Sequence, residues 1–377
     1  MRKFLSQLGI LLKFAFAILF IGGLSYYVID KIQEKNNLMD IEEYSPKSTL
    51  IIKETPITRA KYPFIDVHNH QFDMPLKNLG QLVDEMDSLN MGFMINLSGF
   101  RGLYLRKSLE NIQENAPKRF GLFLNIDFEA IDDTDFALTQ VALIDSAAAA
   151  GVMGLKVYKS LGLSSRDSNG TRIAVNDPRL DPIWKACGDN DIPVLIHSGE
   201  PSSFWHPKDK FNERWLELRQ KPRRYRDPEV NPSFEEVLAE QHAIFRKHPN
   251  TTFINAHLGW MGNDLDRLST HLDTYSNVMT EIGAVLAELG RQPKRARQFF
   301  VEYQDRILFG KDSYKVSEYY TYFRVLETDD EYFNYYRKRH AHWKIYGLNL
   351  PDSILQKLYY KNALELFPTI DKTLFKF

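Results

Sequence analysis

The chain has 377 residues, 44% hydrophobic and 26% charged, with a formal net charge of −1. That is an ordinary globular composition, long enough for one large core or two smaller ones. The near-neutral balance gives no global reason to expect nucleic acid as a partner, and the single cysteine, Cys187, excludes an intrachain disulfide while leaving the redox compartment open.

In chain order the first feature is apolar. Arg2 and Lys3 precede residues 8–12, Lys13 follows, and no charge then appears until Asp30. With Lys13 snorkelling, the stretch from Leu8 reaches the ~20 residues that a spanning helix needs. The basic residues lie before the run, so the positive-inside tendency keeps the N-terminus cytoplasmic and sends the body outside. A cleaved signal peptide is the alternative. Against it, Leu24-Ser25-Tyr26-Tyr27 is a poor cleavage site, and no cysteine stands near position 25 to carry a lipid. The sequence therefore predicts an uncleaved signal-anchor over 1–30 and a polar tether over 31–60. The body beyond is predicted to be extracytoplasmic, periplasmic if the source is Gram-negative.

From Pro63 onward, short apolar runs alternate with longer helical patterns, the mark of a parallel α/β fold. Strands are predicted over 64–68, 92–97, 120–126, 154–158, 193–197, 252–257, 278–282 and 306–310. Helices are predicted over 76–89, 135–150, 181–190, 233–247 and 294–304, with an amphipathic closing helix over 351–367. This order predicts a distorted TIM (β/α)8 barrel over 61–377, behind the N-terminal transmembrane helix. A doubly wound sheet is the alternative, but no Gly-x-Gly-x-x-Gly follows the first strand. Two connections, 199–232 and 313–350, are long, aromatic-rich insertions that a barrel would place over its C-terminal mouth.

The first strand ends in Asp66-Val67-His68-Asn69-His70, whose i, i+2 histidines share one face of a strand. Lys156 lies in the fourth strand, His197 ends the fifth, His257 ends the sixth, and Asp312 follows the eighth. A barrel would aim all of them at one mouth. Three imidazoles and a carboxylate suit Zn²⁺ or a similar cation, which lowers the pKa of bound water from about 15.7 toward ~7. Asp312 could then take the water's proton, and His257 could act as a second acid/base or polarise an oxyanion. Taken singly, each has a plainer reading as a packed or capping residue; the ordered set is harder to obtain by chance.

These residues carry a resemblance to the amidohydrolase superfamily, in particular to the amidohydrolase-related branch that includes aminocarboxymuconate-semialdehyde decarboxylase. It rests on Asp66-Val67-His68-Asn69-His70, Pro193-Val194-Leu195-Ile196-His197, Asn255-Ala256-His257-Leu258-Gly259 and Leu308-Phe309-Gly310-Lys311-Asp312. Tyr360-Lys361-Asn362-Ala363 resembles the family's closing Asn-Ala signature, so the likeness runs over about 63–367. The resemblance implies one catalytic metal, with Zn²⁺ the default, held by His68, His70, His197 and Asp312, and a catalytic role for His257. Binuclear members of the superfamily bridge two metals with a carboxylated lysine near the position of Lys156. In the branch resembled here, that lysine is expected to meet a substrate anion or to be structural.

For substrate binding, the sequence offers Lys156, His206 in Phe204-Trp205-His206, and Arg214. Arg214 belongs to a stretch, 208–226, with eight lysines and arginines against three acids. That stretch reads as a cap for an anionic substrate, as a solvated helix face, or as a surface toward anionic lipid headgroups. The expected activity is metal-dependent hydrolysis of an amide, ester or lactone of a small substrate. Nonoxidative decarboxylation of a small carboxylic acid and a non-catalytic, membrane-tethered scaffold are the alternatives. The expected partners are a small molecule and, through the N-terminal helix, a membrane; no nucleic acid is expected, and a homodimer is compatible with the sequence.

Overall fold

The computed structural model describes residues 1–36, 39–337, 339 and 343–375, in two compact units, 1–51 and 52–377. In the first unit, one helix runs from Arg2 to Asn36, past the apolar run and through the polar residues that follow it. Its segment Gln7–Lys35 has a mean hydropathy of 2.1 and buries none of its side chains in the protein. By length and composition this helix can cross a membrane, a test that a signal sequence also passes.

The second unit is built on eight parallel strands paired in chain order. They are β1 (Phe64–Asn69), β2 (Met91–Asn96), β3 (Phe120–Leu124), β4 (Gly154–Val157), β5 (Val194–Ile196), β6 (Phe253–Asn255), β7 (Val278–Glu281) and β8 (Ile307–Leu308). Every predicted strand is present, and each is shorter than or within about a residue of its expected span. The strands are near-continuous apolar runs because both faces are covered, side chains inside and helices outside. Between β1 and β8 the ring closes through backbone hydrogen bonds: Val67 N donates to Phe309 O at 3.0 Å, and Asp312 N to His68 O at 2.6 Å. The predicted TIM barrel is therefore the observed fold.

The helices begin where local chemistry lets them. Asn78 caps Leu79–Leu89 by accepting from Gln81 N, and Ser233 with Glu236 forms a capping box at the start of Phe234–Lys247. Phe136–Ala149, Asp181–Asp189 and Pro293–Glu302 also lie where predicted, while Gly102–Asn115 and Leu265–Thr274 are additional. The closing segment is not one α-helix. Asp352–Gln356 and Asn362–Leu366 flank a π turn, Lys357–Lys361, and inside it Asn362 Nδ2 donates to Ile307 O at 2.8 Å, tying this segment to β8.

The insertion expected over 313–350 needs correction. Its first part is a twelve-residue helix, Val316–Glu327, that buries Tyr319, Tyr322 and Phe323. Tyr319 and Phe323 pack on Phe64 of β1, with ring centroids 6.0 and 5.5 Å away. This is the eighth barrel helix rather than a loop over the mouth. The aromatic residues that suggested a binding loop are at 3.6-residue spacing and belong to the core. A short antiparallel pair, β9 (Phe333–Asn334) and β10 (Lys344–Ile345), follows; His340 and His342 lie outside the described residues.

Candidate metal centre

The strand order brings His68 and His70 at the end of β1 onto Asp312, just past β8. One ligand atom from each lies within 4.8 Å of the other two. His68 Nε2 and His70 Nε2 are 3.7 and 3.6 Å from Asp312 Oδ1. Gly310 makes this approach feasible, since a Cβ there would sit 2.3 Å from Glu281 Oε2 and 2.9 Å from His68 Cβ. His257 stands beside the trio and His197 beside His257, while the ligand atoms of His197 do not fall within the 4.8 Å group. The rings of His68 and His257 are 4.8 Å apart, and those of His197 and His257 are 4.4 Å apart.

Hydrogen bonding fixes which nitrogen each ring presents. His257 Nδ1 is 2.7 Å from Gly283 O, and a carbonyl only accepts, so Nδ1 carries the hydrogen and Nε2 the lone pair. His197 Nδ1, 3.3 Å from that Nε2, must then be the donor. His68 Nδ1 donates to Glu281 Oε1 at 2.9 Å, and His70 Nδ1 meets Ser98 Oγ at 2.8 Å. His68 thus commits Nδ1 to Glu281 and His197 commits Nδ1 to His257, which leaves Nε2 of each as a free base, while His70 is anchored through Nδ1 on the Ser98 hydroxyl. Among the described residues, the buried Nε2 atoms of His68 and His197 have no hydrogen-bond partner. A buried polar atom left unpaired costs roughly 1–3 kcal/mol. This set of neutral nitrogens and one carboxylate fits a divalent metal.

The charge states agree with that fit. Burial holds the imidazoles of His68 and His197 well below their usual range and takes His70 down to about 4, so all three are neutral at pH 7. Burial opposes ionisation of Asp312, yet His68, His257, His70 and Lys156 around it hold its carboxyl at about 2.

Two features were not read from the sequence. Glu281, fully buried at the end of β7, accepts from His68 Nδ1, from His257 N at 2.6 Å and from Gly283 N at 2.5 Å. One carboxylate thus positions two of the site's histidines; its place at a strand end was the available signal. The second feature is backbone conformation. His257, Leu258, Gly259 and Trp260 all have positive φ, between 54° and 59°, and Asp312 has φ 80°. Left-handed conformations cost about 1–2 kcal/mol per non-glycine residue and cluster at functional sites.

The proposed substrate residues separate. Lys156 is 1% exposed on β4, its Nζ has no hydrogen-bond partner among the described residues, and burial lowers its ammonium to about 8. Arg214 is buried and lines the mouth, but its guanidinium is already held by Glu217 at 3.1 Å and Glu288 at 2.5 Å. His206 is exposed and does not line the cavity. That cavity, of about 250 Å³, is lined by His70, His197, His257 and Asp312 at its base. Tyr158, Lys159, Phe204, Trp260, Arg224 and Arg337 line it further out. The insertion 199–232 thus reaches the mouth as expected, and of the later insertion Arg337 does so too.

A family model described as amidohydrolase matches residues 108–369. The match begins downstream of β1, so the two histidines of that strand join the site through the fold alone. No curated protein matches the chain. Among solved structures, an uncharacterized TIM-barrel protein from Bordetella bronchiseptica has a TM-score of 0.51 at 13% identity, covering 81% of this chain and 98% of that one. A 2,6-dihydroxybenzoate decarboxylase complexed with 2,6-dihydroxybenzoate also reaches 0.51, at 14% identity, covering 81% and 99%. A dihydroxybenzoic acid decarboxylase from a Polaromonas species, with bound manganese and 2-nitroresorcinol, reaches 0.50 at 14% identity, covering 84% and 100%. At such identities the likeness is one of fold.

Proposed function

Because the chain belongs to the amidohydrolase family, a family of metal-dependent enzymes, we propose that it is a hydrolase of small amides, esters or lactones. One divalent metal, Zn²⁺ by the chemistry of its donors, would be held by His68, His70, His197 and Asp312. The observation that carries this reading is the approach of His68 Nε2 and His70 Nε2 to Asp312 Oδ1, at 3.7 and 3.6 Å, with the buried Nε2 atoms of His68 and His197 unpaired among the described residues.

When bound, the metal would supply a water acidified toward a pKa of ~7 and a Lewis acid for the scissile carbonyl. The protein's own groups do the rest. Asp312, ionised at neutral pH, takes a proton from the attacking water and returns it to the leaving nitrogen or oxygen as the C–N or C–O bond breaks. His257 is held by Gly283 O at Nδ1 and accepts from His197 Nδ1 at Nε2, so it serves as a second base only once that contact opens. Lys156 lies behind the cavity wall, its Nζ 5.5 Å from the ring centroid of the lining Tyr158, and would orient an anionic group of the substrate from there; Phe204 and Trp260 shield the cavity from bulk water.

Decarboxylation is the second reading, and Lys156 is the observation that favours it. An ammonium brought to about 8 by burial can hold a carboxylate and then protonate carbon as CO₂ leaves. Isotope labelling separates the two reactions. Turnover in ¹⁸O-water puts one ¹⁸O into a hydrolysis product, whereas a decarboxylase run in D₂O puts deuterium on carbon and releases CO₂.

The first test is elemental analysis of the protein purified without chelators, beside the His68→Ala/His70→Ala variant. About one equivalent, lost in the variant, supports the mononuclear site. Two equivalents would bring Lys156 in as a bridging ligand. A folded protein that holds no metal and takes up no added Zn²⁺ would leave the non-catalytic scaffold. The helix Arg2–Asn36 is read as an uncleaved anchor that keeps the barrel on the extracytoplasmic side, supported by its length, its hydropathy and the basic residues ahead of its apolar run.

A further inference from the structure

The insertion 199–232 has two charged sides. Arg214 and Arg224 turn toward the cavity and are neutralised by Glu217, which is fully buried. Lys208, Lys210, Lys221 and Arg223 are exposed and take no part in lining it. Directly after Lys210 stands Phe211, 83% exposed, with Lys210 Nζ 5.0 Å from its ring centroid. Lys208 folds back over Tyr225 at 4.4 Å, which gathers both ends of the insertion into one patch.

Of the acids in 208–226, Glu213 pairs with Arg291 at 3.1 Å and Glu217 is buried against Arg214 and Arg224, while Asp209 accepts from Phe211 N at 2.8 Å and offsets only one of the exposed cations. The patch is also crowded with its own sign: Lys221 loses basicity chiefly to Arg339, then to burial and to Arg224 and Arg337. An exposed phenylalanine ring leaves apolar surface in water, here beside a lysine. It is well matched to a bilayer interface, where the ring enters the headgroup boundary and the cations meet phosphates. The same chain carries a helix able to cross a membrane, and tethering raises the effective concentration so that a weak second contact is occupied.

We propose that this basic face, with Phe211 at its tip, docks on an anionic phospholipid surface. The face borders the cavity mouth through Arg224 and Phe204, so docking would open that mouth toward the headgroup layer. The inference uses the anchor reading of the N-terminal helix only for the tether; the patch has its own readout.

The test is depth measurement on the full chain reconstituted in vesicles, with a nitroxide on the Phe211→Cys variant. Cys187 is fully buried and stays unlabelled. In an equal mixture of phosphatidylcholine and phosphatidylglycerol the label should become accessible to oxygen and shielded from a water-soluble nickel relaxant. In phosphatidylcholine alone it should remain in water. Lys208→Glu, Lys210→Glu and Lys221→Glu together should lower the docked-to-free ratio on the order of a hundredfold, at roughly fivefold per lysine removed. A label on the Leu138→Cys variant, at a position 75% exposed on Phe136–Ala149, should stay in water throughout. Unchanged metal content and circular dichroism in the triple variant separate lost docking from lost fold, and flotation with neutral vesicles reports on the helix alone. A label in water on both lipids, equal depth on both, or a label that responds to a single-stranded oligonucleotide instead of phosphatidylglycerol overturns the proposal.

Discussion

Glu281 shows how much of this site depends on one residue that is not a candidate ligand. Its Oε1 accepts from His68 Nδ1 and from His257 N, so it sets the ring orientation of one and the backbone of the other. Glu281→Gln keeps the volume but can no longer accept equally at both oxygens. We expect metal affinity to fall about 10- to 100-fold, the usual cost of losing a partner that orients a metal-bound histidine. Competition with a chromophoric chelator measures it, and an unchanged affinity would remove Glu281 from any positioning role. Gly310→Ala should be harsher, because its Cβ would collide with the same carboxylate; metal-free, poorly folded protein is the expected product. The histidines and Asp312 were legible in sequence because such side chains at the ends of apolar runs are chemically conspicuous. Glu281 was not, since a lone acid at a strand end looks like an ordinary cap. Arg214 misled in the other direction: the sequence displayed its charge, but its neutralisation by Glu288, 74 positions away, exists only in the fold.

At the scale of elements, the strands were readable because apolar runs five to seven residues long, with helical patterns between them, leave few alternatives. The helix Val316–Glu327 was not, because tyrosines suit a binding loop and a core equally until packing decides. Two other helices, Phe234–Lys247 and Leu265–Thr274, meet through His242 and His271, whose ring centroids are 4.4 Å apart. Burial is the main reason that these imidazoles stay neutral, to about 4 and about 3, with Arg267 adding to it for both. The unfolded chain takes up both protons near pH 6.5, while the folded one refuses them until well below that. Stability is therefore complete above about 6.5 and falls on acidification, by up to about 2.7 kcal/mol per pH unit where both groups differ. Urea midpoints at pH 7 and pH 5 check this. A His242→Leu/His271→Leu variant should flatten the acid limb; an unaltered slope would place the acid sensitivity elsewhere.

At the scale of the whole molecule, a barrel that puts its catalytic candidates at one mouth is joined to a 35-residue helix with an apolar, solvent-facing surface. An apolar helix of this length left in water would expose a contiguous hydrophobic patch far larger than soluble proteins tolerate. Either a bilayer covers it or processing removes it. The two outcomes differ physically. A retained span needs its backbone hydrogen bonds satisfied within the helix, which the continuous run from Arg2 to Asn36 provides. Cleavage needs small residues at an extended site, and Leu24-Ser25-Tyr26-Tyr27 lies inside that helix and carries two bulky rings. The expectation is therefore a protein that resists extraction by alkaline carbonate, dissolves in detergent and gives an intact mass including Met1 or Arg2. A new N-terminus between residues 25 and 40, with the barrel released into the soluble fraction, would reverse it. Replacing Leu19 and Ile21 by lysine should shift the full chain out of the membrane fraction, since each charge at mid-span costs about 2.5–3.5 kcal/mol. Metal content should be unaffected by that change, because the candidate ligands all belong to the barrel unit.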